Sequence, residues 1–116
     1  MNIIKIQNIT DLKYSFSLMH DSEFTENDFN YDKEKHLFRI NTVSSKMKYS
    51  VELYNVVGCE FFNLDNITKG KATGGVFNYV KIENKGQNLI IISQDLRIGL
   101  NLASIEGEFK EESVMS

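Results

Sequence analysis

Leu37-Phe38-Arg39-Ile40-Asn41-Thr42, a Ser44-Ser45-Lys46 turn, and then Tyr49-Ser50-Val51-Glu52-Leu53-Tyr54 decide the fold class of this chain. Successive side chains of a strand point to opposite faces, so Phe38, Ile40 and Thr42 fall on one side while Leu37, Arg39 and Asn41 fall on the other. Tyr49, Val51, Leu53 and Asn55 alternate with Ser50, Glu52 and Tyr54 in the same way. Two half-buried strands joined by a short turn are predicted. Gly58 interrupts the second and marks a bulge or a strand end.

Outward from this pair the same pattern recurs. Upstream, Ser22 to Tyr31, the charged turn Asp32-Lys33-Glu34-Lys35 and His36 to Ser44 read as a hairpin. Downstream, Phe61 to Asp65 is apolar but too short to assign, and Thr68 to Gly75, with three glycines, reads as a loop. Val76 to Glu83 reads as a strand, Lys85 to Asn88 as a turn, Leu89 to Ser93 as a central strand, and Leu96 to Ile105 as another. Beyond Gly107 the charged run Glu108 to Glu112 reads as a frayed polar tail from about residue 108. At the other end, Ile3, Ile4 and Ile6 begin an edge strand. Thr10 stands where an N-cap would, with Asp11 complementing the positive helix end. A helix over Asp11 to Leu18 is predicted, with Leu12, Phe16 and Met19 as its buried stripe. The expectation is a mainly β, β-rich α+β fold: an antiparallel sandwich or curved sheet of about six strands with one short N-terminal helix, in a single domain spanning 1–116.

The chain has 116 residues, 41% hydrophobic and 25% charged, which is ordinary for a domain able to bury its own core. A formal net charge of -3, with only Arg39 and Arg97 offering a planar guanidinium, argues against a general phosphate-binding surface, so no nucleic-acid partner is expected. Cys59 is the single cysteine, which excludes an internal disulfide and makes a reducing cytoplasm the expected location. No apolar run approaches a membrane span, and the first nine residues lack a secretory cleavage pattern, so no membrane association is expected. The abundance of Lys, Asn and Ile with no proline suits an AT-rich, bacterial-type coding sequence.

Three groups could carry chemistry. His20-Asp21 with Glu23 combines residue types that ligate metals, and a carboxylate beside imidazole raises its basicity. Adjacent residues of a strand diverge, so His20 and Asp21 converge only if the chain turns between them. Against that stands a bracing role for Asp21 at the start of the hairpin. Cys59 could be a nucleophile only in an electropositive, accessible setting, and Glu60 works against one. Gly70-Lys71-Ala72-Thr73-Gly74-Gly75 lacks the order of a phosphate loop and reads as a connector. The stretch from Asp21 to Asp32 interleaves Glu23, Glu26 and Asp28 with Phe24, Phe29 and Tyr31, which could present aromatic contact area and steering carboxylates to a basic partner. The competing reading is a sheet strand with carboxylates outward and aromatics inward.

Leu18-Met19-His20-Asp21-Ser22-Glu23-Phe24, a short helix running into a His-Asp-Ser strand opening, resembles small bacterial immunity-type and uncharacterised β-domain families associated with polymorphic toxin systems. In those families an aromatic precedes the His-Asp pair, where this chain has Met19. The resemblance implies a non-enzymatic domain that binds and neutralises a cognate toxin, with no catalytic residue and no cofactor. A protein-binding module is therefore favoured over an enzyme. The alternatives are a metal-assisted hydrolase using His20 and Asp21 with His36, and a homo-oligomer paired through a strand edge.

Overall fold

A computed structural model describes residues 1–24, 29–62, 75–77, 81–93 and 97–113. The fold is mostly β, built from two antiparallel sheets and one short helix. The chain runs through β1 (Asn2–Ile6), α1 (Ile9–Leu18), β2 (Ser22–Phe24), β3 (Phe29–Asp32), β4 (Leu37–Val43) and β5 (Met47–Leu53). It continues through β6 (Val56–Phe62), β7 (Gly75–Phe77), β8 (Lys81–Lys85), β9 (Asn88–Ile92), β10 (Arg97–Leu102) and β11 (Gly107–Ser113). Seven strands form one sheet in the order β1-β11-β5-β4-β2-β7, with β3 also pairing β4, and four form the other in the order β6-β10-β9-β8.

The alternation in β4 and β5 is realised as read. Phe38, Ile40, Thr42, Val51 and Leu53 are buried, and Phe109 of β11 joins them. Leu89, Ile91, Ile98, Leu100 and Leu102 from the four-stranded sheet belong to the same buried cluster, so both sheets contribute their inner faces to one core. Leu12, Phe16 and Met19 of α1 complete it, as their helical spacing predicts. Lys13, Phe16, Ser17 and His20 line a small cleft with Ile82 of β8, so the helix lies beside that edge of the second sheet.

Four expectations are corrected. Eleven strands occur among the described residues, not about six, because the runs over Ser22 to Tyr31, Lys48 to Val57 and Val76 to Glu83 each contribute to two strands and β11 adds another. The N-cap is Asn8 rather than Thr10: its side chain accepts from Asp11 N at 2.9 Å, and Asp11 in turn accepts from Gln7 N at 2.9 Å. The strand expected over Val76 to Glu83 resolves into β7 and β8, with residues 78–80 outside the described set. The frayed tail from 108 does not exist as such: β11 lies between β1 and β5 with Phe109 fully buried, and Glu108, Lys110 and Glu112 occupy its other face.

The two sheets are joined by the chain itself. β5 ends at Leu53 and β6 begins at Val56, while β10 and β11 make the reverse passage beside them. Asn55 takes the left-handed conformation that a tight turn needs, with φ 59. Tyr54 N donates to Glu106 O at 2.9 Å and Val56 N to His36 O at 3.0 Å. A bulge at Val57 is left where Asn101 pairs with Gly58 but Leu102 pairs with Val56. Gly107 sits opposite Leu53 at this passage, and a Cβ there would fall on the Glu52 carbonyl oxygen and within 3.0 Å of Leu53 Cδ2. Backbone cannot yield as a side chain can, so Gly107→Ala is expected to cost about 3 kcal/mol or more in urea unfolding. A midpoint equal to that of the unmodified protein would show that the passage has slack.

Candidate functional site

The segment from Asp21 to Asp32 places its residues differently from the binding reading. Helix α1 ends at Met19, and Ser22 N returns to Met19 O at 3.0 Å across a turn in which Asp21 takes φ 65. The buried Ser22 hydroxyl also donates to Met19 O and lies 2.8 Å from the Thr42 hydroxyl. This turn does bring His20 and Asp21 together, Nε2 to Oδ1 at 3.5 Å, but both side chains stand largely in solvent. His36 lies in the β3–β4 turn with φ 53, and no group of three or more His, Cys, Asp or Glu able to hold a metal occurs among the described residues. Glu23 is exposed. Phe24 is 2% exposed, stacks edge-on against Phe29 at 5.1 Å and belongs to the core. Tyr31 packs against the core and donates its hydroxyl to Val56 O at 3.2 Å. The aromatics therefore face inward and hold the sheets together. Glu26 and Asp28 lie outside the described residues, as does most of the 70–75 loop.

Cys59 is set against the core opposite Leu100. Burial, with a smaller contribution from Glu60, pushes its thiol up from 9.0 to about 12, which disfavours the thiolate that a nucleophilic cysteine uses.

A concavity lies elsewhere, on the outer face of the four-stranded sheet, as a trough of about 670 Å³. Its floor follows from strand register. Residues directly opposite across antiparallel strands share a face. Gly58, Asn101, Asn88 and Lys85 form one row across β6, β10, β9 and β8, and Glu60, Gly99, Ile90 and Glu83 form the next. Arg97 occupies the following position on β10, on the same face. These positions alternate with the buried Ile98, Leu100, Leu102, Leu89 and Ile91, which makes the trough the solvent side of a packed sheet.

Two features mark this face. Among the described residues a Cβ built on Gly99 would meet nothing within 4 Å, and one on Gly58 would meet only Asn101 Cβ at an ordinary 3.5 Å. Neither glycine takes a positive φ. Packing and turn geometry, which account for Gly107 and for Gly86 at φ 63, therefore do not account for them. Glycine within a strand costs roughly 0.5–1 kcal/mol relative to alanine and often marks a place where another chain or a ligand approaches closely. Second, Glu60, Lys85 and Arg97 are exposed and have no ion-pair partner among the described residues. On the outer face of the seven-stranded sheet Lys5, Lys48 and Glu112 likewise have no ion-pair partner among the described residues, but two pairs form there. Arg39 pairs Glu52 at 3.4 Å and Lys110 pairs Glu108 at 3.4 Å. The Tyr54 phenol there is raised by burial and then by Glu108 and Glu52, with Lys110 opposing.

No protein-family model, curated protein or solved structure matches the chain. No helix among the described residues is long and apolar enough to cross a membrane.

The Cys59 environment sets a pH dependence. A thiol whose pKa is higher in the folded state contributes stability that is present below about pH 9 and is lost as pH rises towards 12. Alkylation by iodoacetamide is accordingly expected to be slow at pH 8 and to keep accelerating above pH 10. A rate that levels off near pH 9 would place the thiol in water.

Proposed function

We propose that this chain is a small protein-binding module of the immunity type, which neutralises a partner by receiving a segment of it in the trough on the outer face of β6, β10, β9 and β8. The observation that carries this reading is the pair of strand glycines, Gly58 and Gly99, whose missing side chains leave the trough floor open although the fold has room for them. Backbone exposed in this way lets a second chain approach more closely than a floor of larger residues would. The floor needs no rearrangement to receive it, because β9 and β10 are held on their inner side by the core and on both edges by neighbouring strands. A surface already in its bound shape loses less to ordering when a partner arrives. The resemblance at Leu18 to Phe24 points to the same class of function, with the contact moved from the acidic stretch to the opposite sheet.

Gly99→Val tests the reading because it fills the trough without requiring the fold to move. The variant is expected to keep or slightly raise the thermal midpoint. In affinity capture from the source lysate it is expected to lose a protein that the unmodified chain retains near stoichiometry. Equal recovery of that protein by both, or no protein retained by the unmodified chain, would rule out the trough as the contact.

A further inference from the structure

We infer that the trough takes an extended acidic segment of its partner, with carboxylates towards the two ends of that segment meeting Arg97 and Lys85 while its backbone is read by Asn88 and Asn101. This rests on the reading of the trough as the partner-binding face. Arg97 stands at one end of the trough on β10, and Lys85 stands at the other, in the row that contains Asn101 and Asn88. Arg97 and Asn101 are four positions apart on β10, about 13 Å at the usual rise, and Lys85 lies two strands, about 10 Å, to the side of Asn101, so about 16 Å separates the two cation positions and an extended segment of five or six residues spans them diagonally.

Each group along that span suits one part of such a ligand. The Arg97 guanidinium is a planar fork that matches a carboxylate in two hydrogen bonds, and Lys85 offers a compact charge on a flexible stem. Asn88 and Asn101 are directly opposite each other and exposed. Together their carboxamides present donors and acceptors, the complement of a peptide group that carries one of each. Glu60 faces Gly99 across the strand pair, beside the middle of the span, where it disfavours a third carboxylate. The preferred segment is therefore acidic at its ends and neutral or basic at its centre, and Glu60 supplies rejection as well as fit. Lys81, beside Arg97 in the strand register, is already paired with Glu83 at 3.2 Å.

A carbodiimide, which joins an amine to a carboxylate in direct contact, tests the assignment on the captured complex. The expected product links Lys85 Nζ to an Asp or Glu of the partner. Lys85→Glu with Arg97→Glu in one chain is expected to lower recovery about tenfold, and recovery by the unmodified chain is expected to fall as salt is raised. Should the double variant prove less stable, Glu60→Lys gives an independent sign: its recovery is expected to hold or rise. A product joining Glu60 to a partner lysine, the absence of any Lys85 product, unchanged recovery by the double variant, or loss of recovery by Glu60→Lys overturns the acidic segment. If Gly99→Val still loses the partner in those cases, the trough remains the contact and only the chemistry of the segment is wrong. If Gly99→Val retains it, the trough itself is not the contact.

Discussion

The close approach of Gly107 to the Glu52 carbonyl holds the rest of the architecture in place. Two strand pairs, β5 with β11 and β6 with β10, are one antiparallel ribbon that bends from the first sheet into the second. A ribbon can bend this sharply only where one strand has no side chain in the way, and Gly107 meets that requirement. The bend is fixed by hydrogen bonds from Tyr54 N to Glu106 O, from Val56 N to His36 O, and from Asn55 Nδ2 to Glu106 Oε2 at 3.2 Å. Because β6 leaves this corner with Val56 buried, the Val57 bulge shifts its alternation and turns Gly58 and Glu60 outward, opposite Asn101 and Gly99 of β10. Gly99 and Asn101 then lie on the outer face and Leu100 and Leu102 on the inner one. The trough is thus a consequence of the corner as well as of its own residues.

The outer face of the seven-stranded sheet offsets one like-charge contact with two ion pairs. On the seven-stranded sheet Glu52 and Glu108 are directly opposite each other, which is unfavourable, and Arg39 and Lys110 each lie against one of them. Each exposed pair contributes at most about 1 kcal/mol, so their main effect is to cancel a repulsion within the face. The trough combines charges that have no ion-pair partner among the described residues with unfilled floor positions, and neither feature assists folding. Local choices that do not serve the fold are where function is to be sought.

Much of the architecture was legible in the sequence because it rests on periodicity. Phe38, Ile40 and Thr42 alternate without interruption, and Leu12, Phe16 and Met19 keep helical spacing, so both patterns identified their buried faces. The C-terminal strand was missed because its inner face has one large apolar side chain, Phe109, between Gly107 and Glu111, and the charges of its outer face dominate the composition. The helix cap was misplaced because Asn8 and Thr10 are both suitable residues, and only the geometry around Asp11 N distinguishes them. In the acidic stretch, the inward turn of Phe24 and Tyr31 is the ordinary outcome for aromatics in a half-covered sheet. The trough could not be read at all. Gly58 looks like a strand break and Gly99 like a lone irregularity until β6 and β10 are paired, and pairing between distant segments is not encoded in any local pattern. The one available signal was a glycine at an outward position within each of two otherwise alternating runs.

A sheet face differs from a sheet edge as a place to receive another chain. An edge offers unpaired backbone groups to any extended segment, and for that reason it favours self-association as readily as recognition. The inner strands β9 and β10 have partners on both sides, so their backbone hydrogen bonds are already committed, and discrimination falls to side chains. Of those, Asn88 and Asn101 are tolerant, since a carboxamide can present either hydrogen-bonding sense. Arg97, Lys85 and Glu60 are not, because reversing the charge opposite any of them changes attraction to repulsion. On the binding reading proposed above, the open floor admits a segment by shape while the three charges select among segments by sign, and the two can vary independently. Residues 58 and 99 can stay glycine while positions 60, 85 and 97 change to follow a different partner, which is the arrangement expected of a module whose fold must persist while its specificity shifts.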